Sequence, residues 1–156
     1  MEEFSFLESY LIGKIVILGI GNILRGDDGA GSLLASRLKG RISLSVYDCA
    51  ESLENYLGKI IKELPQTVVM VDAVDFGGRP GEVRLAKEDE FKTANLFFTH
   101  NASLNLAINY LQSCLRANII IIMIQPRSIG LKDTLGPEVE EAVNTIERFF
   151  LTRFGK

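Results

Sequence analysis

Cysteine is scarce: Cys49 and Cys114 are the only two in 156 residues, far apart and in no CxxC pattern. Neither a disulfide framework nor a structural zinc cluster is supported, and a reducing compartment is the default expectation. Histidine is scarcer still, and a chain whose only His is His100 has no HExxH zinc motif. No Lys or Arg run exists, and 17 basic against 20 acidic residues leave a net charge of −3, so nucleic acid and anionic membranes are not expected partners. Long apolar runs are missing as well. The most apolar stretch, Ile119 to Ile124, spans six residues, against the roughly 20 that cross a membrane. The acidic start Met1-Glu2-Glu3-Phe4 lacks the positive charge of a signal peptide. These absences predict a cytoplasmic protein. What is present, 47% hydrophobic and 24% charged residues, fits a single globular domain over 1–156.

Hydrophobic patterning supplies the architecture. Ile15-Val16-Ile17-Leu18, Val68-Val69-Met70-Val71 and Asn118 to Ile124 are continuous apolar runs of the kind found in strands buried on both faces. Period-two alternation over Ile42–Tyr47 predicts another strand, and Glu82–Leu85 reads as a hairpin partner or edge strand. Helical spacing runs from Gly29 to Gly40, from Leu53 to Leu64, from Asn101 to Leu115 and from Pro137 onward. Cys114, inside the third of these helices, is expected to pack in the core. Strands alternating with amphipathic helices predict a three-layer α/β/α sandwich around a mostly parallel, twisted sheet of about five strands. In such sheets ligands bind beyond the carboxyl ends of the strands, which directs attention to Gly19–Gly31, Asp72–Asp75 and Thr99–Asn101.

Each of these segments has an ordinary reading. Gly19-Ile20-Gly21-Asn22-Ile23-Leu24 opens like a dinucleotide fingerprint with Asp48 as its acidic partner, but Leu24 stands at the third glycine position and Asp27 and Asp28 would repel a pyrophosphate. Those two aspartates also suit helix capping. Asp72 and Asp75 follow an apolar strand, and Asp at such a junction often bonds backbone amides. If the strand leading to His100 is a parallel neighbour of the strands before Asp28 and Asp72, the three residues converge on one crevice, as a divalent-ion site or as an acid/base carboxylate pair. Cys49 as a nucleophile is disfavoured by Asp48 and Glu51 beside it.

The full set of motifs, Gly19-Ile20-Gly21-Asn22-Ile23-Leu24-Arg25-Gly26-Asp27-Asp28-Gly29-Ala30-Gly31, Val71-Asp72-Ala73-Val74-Asp75-Phe76-Gly77, Thr99-His100-Asn101 and Ile124-Gln125-Pro126, resembles the nickel-iron hydrogenase maturation endopeptidases in order and spacing. Residues 1–13 lie outside the motifs and read as a variable arm. The resemblance implies an endopeptidase, with aspartyl endopeptidase activity, that removes a C-terminal extension from the hydrogenase large-subunit precursor after nickel insertion. It implies Asp28, Asp72 and His100 as nickel contacts, Asp28 and Asp72 as catalytic residues, and nickel supplied by the substrate. Gly21, Asn22, Asp27, Asp75, Gly77 and Gly78 are then expected to form the substrate-binding loops. The competing reading is a nickel-dependent accessory module that recognises the metallated precursor without cutting it.

Overall fold

A computed structural model of the chain describes residues 2–93 and 101–156. In chain order the elements are α1 (Glu2–Tyr10), β1 (Ile15–Ile20), α2 (Ala30–Leu38), β2 (Ser45–Ala50), α3 (Leu57–Lys62), β3 (Thr67–Ala73), β4 (Val83–Lys87), α4 (Glu88–Thr93), α5 (Asn101–Cys114), β5 (Asn118–Ile124) and α6 (Pro137–Phe154). The sheet order is β2-β1-β3-β5-β4, with β4 antiparallel to β5 and every other pair parallel. This is the expected five-strand, mostly parallel α/β fold.

Burial explains the apolar runs. Every residue of β1 and β3 is buried, and so is β5 beyond Asn118. Alternate side chains serve opposite faces. Ile17, Val69, Val71 and Ile122 meet α2 and α6 through Leu34, Val143 and Phe150, whereas Leu18, Met70 and Ile121 meet α5 through Leu104, Ile108 and Leu111. Pro137 opens α6 in the first turn, where its missing N–H costs nothing and Glu138 and Glu140 favour the positive helix end.

Several details differ from the pattern reading. The second strand begins at Ser45 rather than Ile42, because residues 41–43 pair with the end of α6: Ser43 N–H donates to Phe154 O at 2.8 Å and Lys156 N–H to Arg41 O at 3.1 Å. The helical pattern of 53–64 divides into a 3-10 turn, Leu53–Asn55, and the short α3. Cys114 is exposed, not packed in the core; burial along α5 stops at Leu111, and Leu115 packs against the sheet in its place. Residues 1–13 carry a helix that the pattern reading did not identify. Leu7 of α1 is fully buried, and Phe4 stacks on Phe149 at 5.1 Å.

Candidate active site

β1 and β3 are the central parallel neighbours, in register Gly19↔Val71, and the chain leaves them in opposite directions across the sheet. Their carboxyl ends therefore frame the crevice where such sheets bind ligands. Both predicted carboxylates lie at these ends. Asp28 sits in the 3-10 turn Gly26–Gly29 after β1, 1% exposed, and Asp72 follows Val71 within β3, 0% exposed.

Backbone contacts fix the first loop. Gly21 has φ +144° and a Cβ there would lie 1.9 Å from the Asp28 carbonyl oxygen, so a side chain is excluded. The close approach allowed by this glycine is to the chain's own backbone. Asn22 closes the loop: its N–H donates to Asp28 Oδ2 at 3.1 Å, its Oδ1 accepts from Leu24 N–H at 2.9 Å, and its Nδ2 donates to Glu51 Oε1 at 2.9 Å. Asp72 Oδ1 accepts from the Ala73 N–H at 2.8 Å. Each carboxylate thus has one oxygen oriented by an amide.

Asp27 and Asp28 are chemically identical neighbours in different employment. Asp27, 2% exposed, accepts Arg127 N–H at 2.8 Å, Ser128 N–H at 3.2 Å and Gly136 N–H at 2.8 Å. It ties the loop after β5 to the first motif. Asp48 is likewise committed, accepting from Ser32 Oγ at 2.6 Å and Ala50 N–H at 3.2 Å. Both bonds fall on Asp48 Oδ1 and are local, so Asp48 has a structural role at this loop that does not depend on a ribose.

The loop after β3 is held by a residue whose role the sequence did not disclose. Gln125 Oε1 accepts Phe76 N–H at 2.9 Å and Gly78 N–H at 3.0 Å, and its Nε2 donates to Asp75 Oδ1 at 3.0 Å. Gly77, with φ +79°, also donates to Asp75 Oδ1, at 3.0 Å. The Gln125 bond and then the Gly77 amide hold the Asp75 carboxyl below its ordinary value. A Gln directly after a buried strand and before Pro126 was the available signal: a polar side chain at that depth needs partners.

The third predicted site residue, His100, lies outside the described residues, as do Phe97, Phe98 and Thr99. Among the described residues no group of three or more His, Cys, Asp or Glu side chains is placed to hold a metal ion. Cys49 is 1% exposed, and burial, with Asp48 adding to it, pushes its thiol up to about 12. That environment does not make a nucleophile.

The model of the hydrogenase maturation protease (HycI) family matches residues 32–153, a span that contains Asp72, His100 and Gln125. The chain belongs to the hydrogenase maturation protease family. It is 33% identical over 133 residues to the hydrogenase 3 maturation protease of Escherichia coli K12, covering 84% of this chain and 85% of that protein. The fold is similar to the crystal structure of a NiFe hydrogenase maturation protease, HycI, from Thermococcus kodakarensis, with TM-score 0.82, 36% identity and coverage of 92% and 94%. It is also similar to the solution structure of the endopeptidase HycI from Escherichia coli, with TM-score 0.75, 29% identity and coverage of 87% and 88%. As a hydrogenase maturation protease it is a peptide-bond hydrolase, not a non-cleaving accessory module. Among the described residues, no helix is long and apolar enough to cross a membrane.

Proposed function

We propose that the protein cuts the C-terminal extension from the large-subunit precursor of a nickel-iron hydrogenase after nickel has been inserted. The observation that carries this reading is the placement of two buried carboxylates, Asp28 and Asp72, at the carboxyl ends of adjacent parallel strands in a chain of this family. The nickel is part of the substrate. Asp28, Asp72 and His100 present two hard oxygens and one imidazole, a donor set suited to a divalent transition ion that already has ligands of its own from the precursor. Recognition then depends on nickel, because the precursor supplies the rest of the coordination.

Asp28 and Asp72 have a second task, since cleavage needs a base to take a proton from the attacking water. One oxygen of each is oriented by a backbone amide. The rigid first loop places Asp28 without further ordering when substrate arrives, which is how positioning lowers a barrier.

The test is the intact mass of nickel-loaded precursor before and after incubation with the wild type, Asp72→Asn and His100→Ala. The wild type is expected to release a C-terminal peptide only from nickel-loaded precursor, and Asp72→Asn to cut at least ~100-fold more slowly. Equal cutting of nickel-free precursor overturns nickel recognition. Undiminished cutting by Asp72→Asn removes that residue from the chemistry.

A further inference from the structure

Among the described strands, only β5 pairs with β3 at Asp72. The ladder with β1 ends at Gly19↔Val71, whereas the ladder with β5 runs on through Asp72↔Met123 to Ala73↔Ile124. Asp72 therefore stands one step past the part of β3 that is gripped from both sides, next to the turn that leads to β4. A reacting group is placed only as well as the chain around it, and a shift of about 1 Å costs on the order of 100-fold in rate. Whatever holds that turn bears on Asp72.

Gln125, directly after β5 and 6% exposed, holds both ends of it. Its main chain serves the β4 side: Gln125 N–H donates to Glu82 O at 2.9 Å, and Gly81 N–H donates to Gln125 O at 2.8 Å. Its side chain serves the β3 side. Val74 N–H donates to Ile124 O at 3.1 Å, and beyond that point Oε1 accepts from Phe76 and Gly78 while Nε2 donates to Asp75. Nε2 also reaches Pro126 O at 3.3 Å. One side chain thus prolongs the β3–β5 pairing past the end of the strands, and the Ala73 N–H that orients Asp72 lies between the ladder and this clamp. The task needs an acceptor and a donor at full glutamine length: Glu would set a second carboxylate against Asp75, and Asn reaches one methylene less far.

We infer that Gln125 is a positioning residue for cleavage: by clamping the turn after β3 it holds Asp72 in place, without itself touching substrate. The inference rests on the proposed function, in which Asp72 acts on the precursor.

The test measures kcat/KM on nickel-loaded precursor, and amide hydrogen exchange of the protein alone, for the wild type, Gln125→Asn, Gln125→Glu and the double variant Asp75→Asn/Gln125→Glu. Circular dichroism confirms folding. Gln125→Asn is expected to lower kcat/KM at least about tenfold in the wild-type background but less than about twofold in Asp72→Asn, because residues that act as one unit are not additive. The double variant reverses donor and acceptor between the two side chains at unchanged net charge, and is expected to cut about fivefold faster than Gln125→Glu. Exchange at Ala73, Phe76 and Gly78 should rise in Gln125→Asn. Equal losses in both backgrounds overturn the inference, since Gln125 then acts independently of Asp72. So does a lower thermal midpoint with kcat/KM unchanged, which leaves Gln125 a purely structural residue, and so does a double variant no faster than Gln125→Glu. If the wild type releases no peptide, the proposed function falls, while faster exchange at Ala73 in Gln125→Asn keeps the clamp on Asp72. Unchanged exchange at Ala73 overturns the clamp in either case.

Discussion

At the amino end of the sheet, Glu63 accepts hydrogen bonds from Ser45 Oγ at 2.6 Å and from the Tyr47 hydroxyl, with Lys14 Nζ at 3.6 Å. At the carboxyl end, Asp27 accepts three backbone amides, and Asp75 accepts the Gln125 side-chain amide and Gly77 N–H. Two guanidiniums at that end are engaged with other groups: Arg25 donates to the Ile129 carbonyl and Arg127 to Glu138. Glu63 is thus held by a cation and hydroxyl protons, whereas Asp27 and Asp75 are oriented by uncharged dipoles. Amides hold a carboxylate in place without cancelling its charge. The carboxyl end is consequently the one suited to attract a positively charged centre on a substrate, and the amino end is suited only to hold the fold.

Substitutions at the adjacent aspartates have the largest expected effect. Asp27→Ala leaves three buried amide donors without their acceptor and is expected to cost about 2–4 kcal/mol, read as a lower thermal midpoint. Asp28→Asn, which keeps shape and a hydrogen-bonding oxygen, is expected to keep the midpoint near that of the wild type while peptide release falls at least ~100-fold. If the two variants lose stability equally, the division between a structural and a chemical acid fails.

A smaller effect is expected at the opposite end. Glu63→Gln should lower stability by about 1–2 kcal/mol and leave precursor cleavage unchanged. Burial pushes the Glu63 carboxyl up, but Ser45, Tyr47 and Lys14 outweigh it and hold the group below its ordinary value near 4.5. Its contribution is present above that value and is lost as the pH falls further, so the gap between wild type and Glu63→Gln should close in acid. Tyr47 works from the alkaline side. Burial first, then the Glu63 hydrogen bond and charge, push its hydroxyl from 10.0 up to about 12. The corresponding stabilisation is complete below pH 10.0 and disappears as the pH rises toward 12. Thermal melts of the wild type and Glu63→Gln across pH test each limb, and a constant gap would mean that neither group is linked to folding.

Sequence pattern was sufficient where one physical cause dominates. The runs Ile15–Leu18, Val68–Val71 and Ile119–Ile124 are buried on both faces, and only parallel strands under helices create that pattern. Asp72 stood out because a carboxylate ends such a run. Where the cause lies far along the chain, the local pattern misleads. The start of β2 depends on residues 41–43 pairing with the end of α6, more than a hundred residues away. The different duties of Asp27 and Asp28 depend on the amides of Arg127, Ser128 and Gly136 in the same way. Gln125 was visible as a motif residue, yet its part in holding Asp75, Phe76 and Gly78 exists only once β3 and β5 lie side by side. Cys114 shares helical spacing with its buried neighbours, and only the place where α5 leaves the sheet determines its exposure.

The two cysteines give the mildest test, because neither is expected to matter for catalysis. Cys49 lies on β2 near the carboxyl end of the sheet, where a thiolate would add a nucleophile beside the two carboxylates. Burial, reinforced by Asp48, raises its thiol to about 12, so at pH 8 almost none is ionised in the folded protein. Cys114 is open to solvent on α5. Iodoacetamide under native conditions should therefore add one carbamidomethyl group per chain, at Cys114, with a second appearing only after denaturation. Cleavage by the singly labelled protein should equal that of the unlabelled one. Two adducts on the folded chain, or inactivation that tracks modification of Cys49, would show that the carboxyl end also carries an accessible thiol, and the assignment of its chemistry to carboxylates alone would fail.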